Sequence, residues 1–304
     1  MRKCIALLVI GILFITFTAG CGSTSIPTDS KVKPVRVGSL TFSESVILAE
    51  MIKLLLEENL GYQVDHVTNL STSTIAHQAM INKEIDISSR YTGTEMTGPL
   101  EMDQPIRDPE KAFDHVQNEY QKRFQQTWLK PYGFENTYAL TVRRDVAEKY
   151  GLKKVSDLAK VAANMRLGTD TSFLEREGDG YAAFCQLYGF KFGQTFPMEI
   201  GLVYQAVKSQ QVDVVIAYST DSRVKSFDLV VLEDDKRFFP PYEAAILIRN
   251  ETLEQYKGLK EELEKLSGKI STTTMTELNY KVDEQKLDPV KVAREFLQQQ
   301  GLLK

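Results

Sequence analysis

One short pattern is written twice in this chain, and that duplication constrains its fold more than any other feature. Arg36-Val37-Gly38-Ser39-Leu40-Thr41 resembles Arg166-Leu167-Gly168-Thr169-Asp170-Thr171. Further on, Gln78-Ala79, Ile85-Asp86-Ile87 and Tyr91 match Gln205-Ala206, Val212-Asp213-Val214 and Tyr218 without an insertion. Each copy reads as strand, helix, second helix, strand. In the first copy, Val35 to Gly38 is a short apolar strand, and Thr41 and Glu44 have capping-box spacing. Val46, Ile47, Met51, Leu54 and Leu55 then recur at helical period before Gly61. Tyr62 to Val67 predicts another strand, Thr74 to Asn82 a helix and Ile85 to Ile87 a strand. Arg166 to Gly168, Glu199 to Gln210 and Val212 to Tyr218 play the matching parts in the second copy. Alternating strands and helices predict an α/β chain with mainly parallel strands.

Duplicated α/β units suggest two lobes with a cleft between them, and ligands of such sheets collect beyond the carboxyl ends of the strands. Tyr91 and Tyr218 stand there, at equivalent places in the two copies. In the rest of the chain, Leu229 to Leu232 and Ala244 to Ile248 read as strands. Phe238 to Tyr242 reads as a rigid turn, and Leu253 to Leu266, Thr273 to Tyr280 and Pro289 to Gln299 read as helices. The expected division is residues 34–140 plus 236–304 in the first lobe and 141–235 in the second.

The first 33 residues stand outside that pattern. Arg2 and Lys3 precede an apolar run from Ile5 to Phe17, and Thr18-Ala19-Gly20 puts small residues before Cys21. This reads as a signal peptide over residues 1–20, the run being short for a membrane span. A Cys at the cleavage point resembles a bacterial lipobox, in which the thiol receives a diacylglycerol; Thr18 departs from the usual Leu of that motif. Residues 21–33, rich in Ser, Thr, Pro and Lys, read as a flexible tether.

Composition excludes several classes. A formal net charge of −4 over 304 residues gives no reason to expect nucleic acid as a partner. Of the three cysteines, Cys4 leaves with the signal, Cys21 is the lipid site and Cys185 has no partner, so no disulfide forms. Ala182-Ala183-Phe184-Cys185 suggests a buried, inert thiol. His66, His77 and His115 lack metal-ligand spacing, with His77 a packed or solvated helix residue. No nucleophile elbow, phosphate loop or dinucleotide fingerprint appears, and Gly178-Asp179-Gly180 reads as a plain loop. Asp234-Asp235, beside Lys236 and Arg237, suits a solvated turn. No catalytic residue, metal or cofactor is expected.

Four of the 13 tyrosines stand out by position. Tyr91 and Tyr218 end the matched strands. Tyr138 ends Phe134-Glu135-Asn136-Thr137-Tyr138, where strand alternation predicts Asn136 and Tyr138 on one face. Tyr242 follows Pro240-Pro241, which restricts the backbone and can aim a ring. Ring faces carry a negative quadrupole and exclude water, so they hold a methylated cation that has no N–H to donate.

Several longer segments then point to one family. They are Arg90-Tyr91-Thr92-Gly93-Thr94, the run from Tyr132 to Ala139, the run from Pro197 to Tyr204, Ala217-Tyr218-Ser219-Thr220-Asp221, and Phe238-Phe239-Pro240-Pro241-Tyr242. In these the chain resembles the substrate-binding lipoproteins of Gram-positive osmoprotectant ABC importers, the glycine betaine/carnitine/choline-binding family. The resemblance covers essentially the whole chain after the signal. It implies a two-lobed, periplasmic-binding-protein-like α/β fold of type II. It also implies a cage of Tyr91, Tyr138, Tyr218 and Tyr242 for a quaternary ammonium, with Asn136 and Thr94 at the polar end. The implied partners are a small quaternary-ammonium ligand and membrane permease subunits, met on the extracellular face of the cell membrane to which the lipid anchors the chain. Leu40 departs from a Gln found in some members, and Leu cannot hydrogen-bond a headgroup. Thr94 matches the broader-range members, whereas Asp there is associated with choline. Other betaines, an amino acid or a polyamine therefore stay open as ligands. An extracellular hydrolase or choline-modifying enzyme would need a nucleophile–base pair that the sequence does not display.

Overall fold

A computed structural model describes residues 33–175 and 180–304. The expected signal peptide, Cys21 and the tether up to Val32 lie outside the described residues, as do Gly178 and Asp179. Among the described residues, no helix is long and apolar enough to cross a membrane.

The described residues build two five-stranded sheets. The first holds β1 (Val35–Leu40), β2 (Val64–Leu70), β3 (Ile87–Tyr91), β4 (Gln126–Trp128) and, from the far end of the chain, β10 (Ala244–Arg249), in the order β2-β1-β3-β10-β4. The second holds β5 (Tyr138–Arg143), β6 (Arg166–Thr169), β7 (Gln194–Pro197), β8 (Val214–Tyr218) and β9 (Leu229–Val231), in the order β7-β6-β8-β5-β9. The two orders are one topology. β1 pairs in parallel with β2 and β3, as β6 does with β7 and β8. β10 pairs antiparallel with β3 and β4, as β5 does with β8 and β9.

Four of the five strands in each sheet run the same way, as expected, and one, β10 or β5, runs opposite to both its neighbours. One boundary shifts: Tyr138 to Leu140, expected in the first lobe, begin β5 of the second sheet. The chain crosses between the sheets twice, after β4 and before β10. The crossing segments are held together by an isolated antiparallel bridge between Glu135 and Glu243. Hydrogen bonds from Asn136 N to Tyr242 O at 3.1 Å and from Ala244 N to Phe134 O at 3.1 Å flank that bridge.

The duplication extends to side chains. Arg36 donates its backbone N–H and its guanidinium to Asp86 at 2.9–3.0 Å, and Arg166 does the same to Asp213 at 3.0 Å. In both copies the ion pair fastens the start of the first strand to the residue just before the last. Lys83 and Gln210, matched in sequence, both turn the chain at φ 60°. The helices before them, Ser73–Ile81 and Ile200–Lys208, hide equivalent residues: Ala76, Ala79 and Met80 in one, Val203, Ala206 and Val207 in the other.

The long helix Ser43–Leu60 shows why the first half folds as it does. Ile47, Leu48, Met51, Ile52 and Leu55 form a fully buried stripe against the first sheet. Each contributes roughly 1.5–3 kcal/mol of burial. Gly61, at φ 71°, closes the helix in the left-handed conformation that costs glycine least. The helix begins after Phe42, with no side chain capping it. The Thr41–Glu44 capping box is therefore absent, because Glu44 is drawn into the interior. The second sheet is covered by an aromatic cluster that includes Phe173, Phe184, Phe190, Phe192, Phe238 and Phe239. Cys185 is a buried free thiol. The helical run expected over Leu253 to Leu266 is broken at Gly258, φ 77°, into Asn250–Gln255 and Leu259–Glu264. His77 is packed edge-on against Phe124 at 4.8 Å. Asp234 is not a solvated turn residue: it accepts the backbone N–H groups of Phe238 and Phe239 at 2.9 and 2.8 Å and caps the turn into the second crossing.

Candidate functional site

The four tyrosines come from four separated stretches and line one cavity of about 510 Å³, together with Asn136 and Thr94. Tyr91 is the last residue of β3 and Tyr218 the last of β8. Tyr138 opens β5 directly opposite Tyr218, and the two rings stack with centroids 5.2 Å apart and planes 28° from parallel. In the first sheet the matching register pairs Tyr91 with Ala244, so no second ring stands there. Tyr242, two residues earlier, supplies one from the crossing segment instead.

Tyr242 is set by Gly93. A Cβ on Gly93 would lie 2.8 Å from ring atoms of Tyr242 and 2.8 Å from the Pro241 carbonyl. The segments around them are joined by Thr92, whose hydroxyl donates to Pro241 O at 3.0 Å and accepts from Glu243 N at 3.1 Å. Thr94 is half-buried in the short helix Thr92–Thr97. Asn136 lies in the crossing before β5 rather than within a strand. The alternation argument that placed it beside Tyr138 does not apply, yet both residues reach the same cavity.

Sequence reasoning missed much of the remaining wall. Phe42, at the mouth of the helix Ser43–Leu60, stands 6.4 Å from Tyr91 by ring centroid. Leu40, which the sequence does single out, is buried and adds an apolar patch. Glu44, 2% exposed, accepts the Tyr91 hydroxyl at 2.6 Å. Burial pushes the Tyr91 hydroxyl well above its ordinary range, reinforced by the neighbouring Glu44 charge, so Tyr91 stays a neutral phenol. Burial also raises Tyr218, with Tyr138 adding to the effect. Neutral rings keep their faces available without placing a phenolate in the wall.

At the other side of the cavity, Asp221 grips Arg223 in a bidentate pair at 2.8 and 2.7 Å, and the Arg223 guanidinium lies 3.9 Å over the Tyr204 ring. The Tyr204 hydroxyl accepts Tyr218 N at 3.0 Å, which fixes the backbone that carries the Tyr218 ring. Asn279 and Asp283, from the helix Thr272–Asp283, complete this region, and the Ser43 hydroxyl donates to Asp283. No local pattern could have flagged Asn279 or Asp283, which reach the site only because the end of the chain folds back on the first sheet. Carboxyl groups in the wall (Glu44, Asp221 and Asp283) outnumber the one guanidinium, which favours a cationic guest. Among the described residues, no group of three or more His, Cys, Asp or Glu side chains is placed to hold a metal ion.

Known proteins resemble this chain in sequence and fold. The substrate-binding domain of the ABC-type glycine betaine transport system, as a family, matches residues 33–299. Carnitine transport binding protein OpuCC of Listeria monocytogenes is 45% identical over 300 residues, covering 98% of this chain and 96% of that protein. The ergothioneine transport permease/ergothioneine binding protein EgtU of Helicobacter pylori is 35% identical over 271 residues, covering 89% of this chain but 48% of its own length. A crystal structure of a glycine betaine/carnitine/choline ABC transporter superposes with a TM-score of 0.85 at 46% identity, covering 89% of this chain and all of that one. With a family match over nearly the whole described chain and a relative this similar end to end, the chain belongs to the family of substrate-binding domains of ABC-type glycine betaine transport systems.

Proposed function

We propose that this chain is the extracellular binding component of an ABC importer and that it takes a quaternary-ammonium osmoprotectant such as glycine betaine, carnitine or choline. The observation that carries the reading is the convergence of Tyr91, Tyr138, Tyr218 and Tyr242 on one cavity. A desolvated cation–π contact contributes about 2 kcal/mol. Four give ~8 kcal/mol gross, the scale of a micromolar Kd, before ordering and closure costs that packing and polar contacts must offset. Asn136 and Thr94 hold the polar end of the ligand. Closure of the lobes brings Tyr91 and Tyr218 onto opposite faces of the cation, and the closed form docks on membrane permease subunits. The role is binding, not catalysis. Cys21 carries the lipid that keeps the domain at the outer face of the membrane; loss of fatty-acid labelling in Cys21→Ala tests that anchor.

Calorimetry with glycine betaine, carnitine and choline tests the cage. The wild-type protein should bind at least one of them, and the double variant Tyr91→Ala, Tyr218→Ala none. Unchanged binding of all three by the double variant sinks the reading.

A second ligand is favoured by two observations: Leu40 puts an apolar group in the wall, and a relative is named for ergothioneine. A larger, partly apolar betaine built on a trimethylated histidine fits both. A thermal-shift screen separates the two readings by which compound raises the melting temperature most.

A further inference from the structure

Glu44 is a carboxylate in the cavity wall that accepts its hydrogen bonds from uncharged groups. On Oε1 it accepts the Tyr91 hydroxyl at 2.6 Å and Asn136 Nδ2 at 3.1 Å, and on Oε2 it accepts Asn279 Nδ2 at 3.1 Å. Asn279 also donates to the Thr220 carbonyl at 2.9 Å. Thr220 lies two residues beyond Tyr218, in the second half of the repeat, whereas Tyr91 ends the matching strand of the first. One carboxylate thus holds the Tyr91 hydroxyl directly and, through the Asn279 amide, the backbone two residues beyond Tyr218.

The orientation of the amides follows from the carboxylate. An ionised Glu44 can only accept, so Asn136 and Asn279 both turn their NH₂ groups toward it. Their carbonyl oxygens are buried and have no hydrogen-bond partner. A buried unsatisfied acceptor costs about 1–3 kcal/mol, so the carboxylate's hold on these amides outweighs their own satisfaction. A protonated Glu44 could donate to one of those oxygens, and the set of donors facing Tyr91 would then rearrange.

We propose that Glu44 is the positioning residue of the cage: as a carboxylate it fixes the Tyr91 hydroxyl and the Asn279 amide, ties the end of β3 to the chain just beyond β8, and places buried negative charge behind the bound cation. This rests on the quaternary-ammonium reading above. Burial raises the Glu44 carboxyl from its ordinary value against the lowering effect of its hydrogen-bond donors. A permanent cation in the cage favours the ionised form. Binding and ionisation of Glu44 are then linked, and affinity falls as pH is lowered. The other titratable or charged groups of the wall are Tyr91, Tyr138, Tyr218 and Tyr242, Asp221 with its partner Arg223, and Asp283.

The test is calorimetry with choline, whose charge does not change with pH, from about pH 5 to about pH 8. Wild-type affinity should decline toward the acid end. Glu44→Gln should bind about ten-fold more weakly at neutral pH and lose that decline. Asn279→Ala leaves Glu44 and Tyr91 in place but cuts the link to Thr220; it should weaken binding and keep the decline. Tyr91→Phe keeps the ring without its hydroxyl and should do the same. Two results overturn the proposal while leaving the cage intact. One is Glu44→Gln binding choline within two-fold of wild type or retaining the wild-type pH dependence, which assigns the titration to Asp221 or Asp283. The other, decisive also should Glu44→Gln not fold, is Asn279→Ala and Tyr91→Phe both binding as wild type does. If the wild-type protein binds no quaternary ammonium compound at all, the cage reading falls, and this proposal with it.

Discussion

Gly93 lies so close to the Tyr242 ring that a methyl group there would stand 2.8 Å from both Cδ1 and Cε1. The Pro241 carbonyl is also 2.8 Å away and belongs to the backbone, so the clash cannot be relieved by a side-chain rotation alone. Gly93→Ala should therefore push the Tyr242 ring out of place. The expected result is a loss of ligand affinity of about ten-fold or more, with a stability cost of about 1–3 kcal/mol typical of overpacking. Titration calorimetry and a denaturant melt read the two effects separately. Wild-type affinity in Gly93→Ala would show that Tyr242 is not placed by this contact.

Tyr138 and Tyr218 form a stacked pair on opposed positions of β5 and β8, so each ring supports the other. Truncating one should disturb its partner as well as remove its own contact with a cation. Each alanine variant should lose about 1–2 kcal/mol of binding. The double variant should lose less than the sum, with a coupling of at least ~0.5 kcal/mol. Tyr138→Phe, which keeps the ring face, should cost far less than Tyr138→Ala. Strict additivity in a double-mutant cycle would mean that the rings act independently.

The repeated Arg–Asp pairs offer an internal comparison. Asp86 and Asp213 each bind a strand-opening arginine through both backbone and side chain, but their side chains are 7% and 21% exposed. Asp86 also has Arg249 at 3.6 Å. Removing the more buried partner leaves Arg36 without its carboxylate and takes one of two carboxylates from Arg249, which keeps Glu251 at 3.0 Å. Asp86→Ala should cost about 3 kcal/mol or more, and Asp213→Ala roughly half that. Equal losses in urea melts would argue that burial does not set the difference.

The pair also explains what the sequence revealed and what it hid. Gln78 to Tyr91 and Gln205 to Tyr218 align because both copies need the same residues at the same turns, and that made the two sheets and the strand-end tyrosines readable. The strand that each sheet takes from the other half left no such mark. β5 and β10 are paired by topology, and Tyr138 has Ala244 at its equivalent place, so the repeat breaks where the lobes exchange strands. Asn136 was drawn to the cavity for the wrong local reason, since it sits in a crossing and not in a strand. Glu44 was hidden by its own spacing: a Glu three residues after a Thr looks like a helix cap, and only the fold shows it turned inward. Asn279 and Asp283 needed a contact across most of the chain, which no local pattern records.

Glu135 and Glu243 face one another across the isolated bridge that joins the two crossings. Burial raises both carboxyl groups from their ordinary values, and Glu135 adds its charge to the effect on Glu243. Glu233 and Asp234, with Arg107 and Arg237, line the adjoining hollow beside Glu135. A carboxyl raised in the folded state is stabilising in its neutral form. That contribution is complete below the ordinary carboxylate value of about 4.3 and is lost as pH rises through the folded-state value. At neutral pH the ionised pair is therefore a cost to the crossing. The double variant Glu135→Gln, Glu243→Gln should melt higher than wild type at pH 7, and the advantage should shrink toward pH 4. Both groups are partly exposed, so solvent screening holds the gain to about 1 kcal/mol or less, at most roughly 2–4 °C in Tm. Thermal melts of both proteins across that range decide it: an advantage that is the same at both ends would come from the amide side chains themselves and not from removing two opposed charges.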